Sequence, residues 1–115
     1  MLSVSAERFD ELVGEALDRI PAELMKALDN LVITVAEENP DDPHLLGLYY
    51  GIDLTKRTHD YTFAMPDEIT IYRRPLLRLS RSEEELADQV SVTVVHEIAH
   101  HFGISDARLH ELGWG

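Results

Sequence analysis

SRSEEELADQVSVTVVHEIAHHFGISD, residues 80–106, carries the clearest period in the chain. Leu86, Val90, Val94, Ile98 and Phe102 recur every four residues, which marks one face of a helix. Ser80 with Glu83 and Ser82 with Glu85 form two overlapping capping boxes at its start. Glu83, Glu84 and Glu85 place negative charge at the positive end of the helix dipole. Val92–Val95 has strand propensity, but the caps and the stripe outweigh it. Gly103 suits the helix exit, and SDARLHEL (105–112) reads as a short last helix.

Working back from this helix, Phe9, Leu12, Val13, Leu17 and Ile20 fall at helical spacing, so residues 5–20 are expected to be helical. Pro21 fits the first turn of a second short helix, PAELMKAL (21–28). LVITVA (31–36) reads as a buried strand, and NPDDP (39–43) as a turn. Residues 44–61 have two glycines and no period, which suggests a functional loop. EITIYRR (68–74) alternates and is stopped by Pro75, which suits an edge strand. There is no repeat or linker, so a single domain, 1–115, is expected. A chain of this size buries roughly 65% of its unfolded surface, enough for one core.

The net charge of −12 repels phosphate, so neither nucleic acid nor an anionic membrane is an expected partner. With no cysteine, disulfides, thiolate metal sites and a cysteine nucleophile are excluded. The start, MLSVSAERFDELV, lacks the basic and apolar regions of a secretory signal. No apolar run approaches the length of a membrane span, and a cytoplasmic location is expected.

On the long helix, His96 and His100 lie about 40° apart, one turn along the axis. Two imidazoles so placed can grip one ion. Glu97 lies beside them, near enough to reach a bound water. This is the HExxH arrangement of zinc metallopeptidases. Catalytic zinc takes three protein ligands and keeps one position for water, whose pKa it lowers towards about 7. Glu97 could accept a proton from that water and pass it to the leaving amine. The third ligand has several candidates. His101 lies about 100° further round the helix and cannot join without distortion. His110 and Glu111 could fold back. Asp106 is the best placed, because Gly103 lets the chain turn sharply three residues earlier.

HEIAHHFGISD resembles the extended HExxHxxGxxH/D signature, with aspartate in the last place. Together with LGLYYG (46–51) and ITIYRRPL (69–76), it resembles the small zincin-like metallopeptidase family of bacteria. The resemblance spans most of residues 30–112. It implies an α+β fold, a minimal zincin-like domain in which a small mixed or antiparallel sheet packs against the HExxH helix. It also implies Zn2+ as cofactor, with His96, His100 and Asp106 as metal ligands and Glu97 as the catalytic glutamate. The implied function is a zinc-dependent peptidase acting on a peptide or unfolded protein. The alternative is a zinc-stabilised domain that binds peptides or a partner with little or no turnover. Two features of better-known zincins are not expected here: no methionine follows Met65 in this sequence, and with nine residues after Asp106 no second subdomain is expected to build the far wall of a cleft.

Four further features have two readings each. Strand 68–74, as an edge, could pair with a substrate peptide or simply be protected by Arg73 and Arg74. Tyr49 or Tyr50 could donate to an oxyanion, or be partly buried core. His101 could orient a carboxylate near the metal, or be exposed. Arg73, Arg74, Arg78 and Arg81 could bind a substrate carboxylate, or form a solvated face. Trp114 is expected to pack the last helix down.

Overall fold

The computed structural model describes residues 2–22, 24, 31–50, 67–101, 103–111 and 113–114; the side chain of Asp106 lies outside this set. Helix α1 (Ala6–Asp18) is followed by strands β1 (Leu31–Ala36), β2 (Gly47–Tyr50) and β3 (Asp67–Tyr72). Helices α2 (Arg73–Leu79), α3 (Glu83–His101) and α4 (Asp106–Glu111) complete the described elements. The sheet order is β1-β3-β2. β1 runs parallel to β3 and β2 antiparallel to it, so of the two sheet types expected for the α+β fold, mixed or antiparallel, the sheet is mixed.

Helix α3 is the organising element. Leu86, Val90, Val94 and Ile98 are all buried, so the four-residue stripe is its core face. Phe102, the last member of the stripe, lies outside the described residues. α1 packs along α3 through Phe9, Leu12 and Ala16, and β3 supplies Ile69 and Ile71 to the same core. Buried in that seam, the Ser91 hydroxyl lies 3.0 Å from the Ala16 carbonyl and 3.1 Å from that of Ala87. At the surface, Arg8 on α1 reaches Glu83 on α3 and Arg19 reaches Asp88. Glu11 first, then Glu83, holds the Arg8 guanidinium above its ordinary pKa.

Of the expected features the Ser82 cap, the Gly103 exit and the packing of Trp114 hold, and the Ser5 and Ser105 caps add to them. Ser5 caps α1, accepting from Arg8 N at 3.1 Å. Ser82 caps α3 through Glu85 N, and Ser105 caps α4 through Arg108 N, each at 3.1 Å. Gly103 takes φ 69°, the left-handed conformation that ends a helix. Trp114 is partly buried against the core. The helix expected over 21–28 falls mostly outside the described residues.

Others are corrected. β3 is the central strand, not an edge. Pro75 sits in the first turn of α2, beyond the sheet ladder, so its missing N–H removes no sheet bond. Arg73 and Arg74 do not guard an edge but reach Glu37, and Arg73 also donates to the Val4 carbonyl. Among the described residues β1 is itself an edge strand rather than a buried one, and Val32 and Val35 stay 41% and 40% exposed. Residues 47–50, expected within a loop, form β2. Ser80 does not cap α3; its hydroxyl donates to the Leu76 carbonyl and closes α2 instead.

Candidate metal centre

Helix geometry alone sets the first part of the site. His96 and His100 project one turn apart from α3, their rings edge to face with centroids 6.3 Å apart. His96 and Glu97 are half-buried and His100 is exposed. All three border a cleft of about 370 Å³. Its opposite wall is the chain entering β2, including Asp42, His44, Leu46 and Gly47.

The second part comes from β2, which lies against a different stripe of α3: Thr93, Glu97 and His101. A Cβ placed on Gly47 would stand 2.7 Å from Thr93 Cγ2 and 3.8 Å from Glu97 Cγ, so only glycine allows this approach. Two residues further on, the Tyr49 N–H donates to Glu97 Oε2 at 3.3 Å. The Tyr49 ring stacks on His101, with centroids 4.1 Å apart and planes 19° apart. Glu97 is thus oriented by a backbone donor. Sequence reasoning misses that donor, since main-chain N–H groups have no residue signature.

The third part is the last turn. Gly113, at φ 88°, folds the chain back after α4, and the Trp114 carbonyl lies 3.2 Å from His96 Nε2. A carbonyl only accepts, so the tautomer protonated at Nε2 satisfies this contact and leaves the lone pair on Nδ1. The contact fixes the ring at the mouth of the cleft.

Two imidazoles one turn apart, beside an open cleft and a carboxylate, suit zinc, whose bonds to histidine nitrogen are about 2.0–2.1 Å. The donor set fits, and the third ligand is the remaining question. Asp106 opens α4, but its side chain lies outside the described residues. Among the described residues no group of three His, Asp or Glu side chains gathers closely enough to hold an ion. Glu111 instead pairs with Arg108 at 2.9 Å, and His110 is exposed.

The supporting residues sort as follows. Tyr49 is half-buried, while Tyr50 is 66% exposed on the opposite face of β2. His101 is exposed and lies flat on Tyr49. Arg78 donates to the Pro43 carbonyl at 2.8 Å.

Residues 28–114 match the family model described as zincin-like metallopeptidase. Helix α1 lies ahead of the match. No curated protein matches. Among solved structures, a conserved hypothetical protein of T. thermophilus has the same fold, with a TM-score of 0.56 and 22% identity. The superposition covers 86% of this chain and 94% of that one.

Proposed function

The chain belongs to the zincin-like metallopeptidase family, and from that premise we propose that it hydrolyses peptide bonds at a zinc ion held by His96, His100 and Asp106, with Glu97 as general base. The observation that carries this reading is the shared cleft: His96, Glu97 and His100 open together onto one groove beside a sheet edge. When bound, zinc would acidify a water and polarise the scissile carbonyl.

The remaining work falls to the chain's own residues. Glu97 takes a proton on the carboxylate that the Tyr49 N–H orients, and delivers it to the leaving amine. Among the described residues β2, not β3, is the sheet edge beside the cleft, and it is the edge that serves a substrate. Leu46 O accepts from Tyr72 N, towards β3, whereas Tyr49 N points away from β3 to Glu97. The Tyr49 N–H is thus engaged by Glu97, and the Gly47 backbone, two residues earlier on the same side of β2, faces outward, where an extended peptide can add antiparallel to β2. Stacking of Tyr49 on His101 holds that strand against α3.

The test is cleavage of a mixed peptide library by the zinc-loaded chain. Glu97→Gln should lower kcat by about 10²- to 10⁴-fold, the usual worth of a positioned general base, with zinc content unchanged. Stoichiometric zinc with no Glu97-dependent cleavage would refute the peptidase reading and leave a zinc-stabilised peptide-binding domain.

A further inference from the structure

A second cavity, of about 410 Å³, adjoins the cleft just described. His44 and Leu46 border both. On its far side stand Pro75, Arg78 and Leu79 of α2. Among the described residues its lining is largely apolar, with one arginine, which gives it the character of a subsite.

Arg78 stands apart from most of the arginines. Arg8, Arg19, Arg73, Arg74 and Arg108 each pair with a carboxylate. In a chain with 22 acidic residues that is the expected state. Arg78 pairs with no carboxylate among the described residues, yet its guanidinium is held by the Pro43 carbonyl at 2.8 Å beside the cavity. It is a positioned cation in an acidic protein, next to the cleft.

Strand direction says what would reach it. A peptide lying antiparallel to β2 runs from Tyr50 towards Gly47, so its C-terminal end points at Leu46. Gly47 already abuts Glu97, and Leu46 borders the second cavity. The Glu97 carboxylate sits level with Tyr49, three residues from Leu46, so at about 3.3 Å per residue roughly two or three residues beyond the scissile bond bring the chain end to that cavity.

We propose that Arg78 binds the C-terminal α-carboxylate of the substrate, so that the enzyme removes short C-terminal fragments from peptides. This rests on the peptidase reading and on the peptide lying along β2. Arg78 is a specificity-determining residue here; it takes no part in proton transfer.

Binding and turnover are measured separately. Acetyl-Ala-Leu-Ala with a free carboxylate, its C-terminal amide, and amidated acetyl-Ala-Leu-Glu are titrated by NMR into the full zinc-loaded chain carrying Glu97→Gln. The free acid should bind about tenfold tighter than its amide, as a charge-assisted bond predicts. Adding Arg78→Gln should remove most of that preference, and Arg78→Lys should restore part of it. Equal or undetectable binding of acid and amide, or a preference that survives Arg78→Gln, overturns the assignment. Tight binding of the Glu amide alone also overturns it, in favour of a side-chain carboxylate. Acid-selective binding without Glu97-dependent cleavage would sink the peptidase reading and leave Arg78 as a carboxylate site.

Discussion

Glu97 depends on a residue that has no side chain. Gly47 lets β2 close on α3, and that approach brings the Tyr49 N–H to the glutamate. Gly47→Ala should force the strand away, because its methyl would meet Thr93 Cγ2 at 2.7 Å. Overpacking of this kind costs about 1–3 kcal/mol, readable as a lower urea midpoint. Peptide cleavage should fall with it. Thr93→Ser removes the opposing methyl, so the double variant should recover both stability and kcat; no recovery would mean that the contact is not what matters. His96, Glu97 and His100 are legible in the sequence because their mutual placement needs only a helix. Gly47 is not, because its role depends on a strand and a helix distant in the chain meeting side by side.

At the scale of elements, α3 and α1 are legible because stripe and cap signals are local and strong. The sheet is less so. β2 has four residues, too few for an alternation to show, and its glycine points to a loop. Pro75 gives β3 the signature of an edge, but the proline belongs to α2 and leaves the ladder whole. LVITVA is apolar throughout, the signature of a buried strand, yet among the described residues only one side of β1 has a neighbour. Neighbour order within a sheet is a non-local property that strand composition does not report. It has a measurable consequence. Ile69→Ala, fully buried in the central strand, should cost about 2–5 kcal/mol. Val32→Ala, exposed on edge strand β1, should stay within about 0.5 kcal/mol. Similar costs at both positions, measured by denaturant unfolding, would contradict the strand order.

On the scale of the whole molecule, one helix serves both core and chemistry. The buried stripe of α3 anchors α1 and β3, and its neighbouring faces hold the imidazoles at the cleft and press Glu97 against β2. Among the described residues no helix is long and apolar enough to cross a membrane. The last turn completes the assembly by bringing the Trp114 carbonyl to His96. With the proposed zinc held by residues of α3, the helix that also anchors the core, chelation should lower the melting temperature as well as abolish cleavage. The proposed peptidase stands on one zinc ion held by His96, His100 and Asp106, with a position left open beside Glu97. Anomalous diffraction at the zinc edge, on protein purified without added metal, tests it most directly. One peak is expected about 2.0–2.2 Å from a nitrogen of each histidine and a carboxylate oxygen of Asp106, with a water between the ion and Glu97. A peak ringed by four protein ligands, or zinc-soaked crystals in which both histidines bond only protein groups, would contradict it.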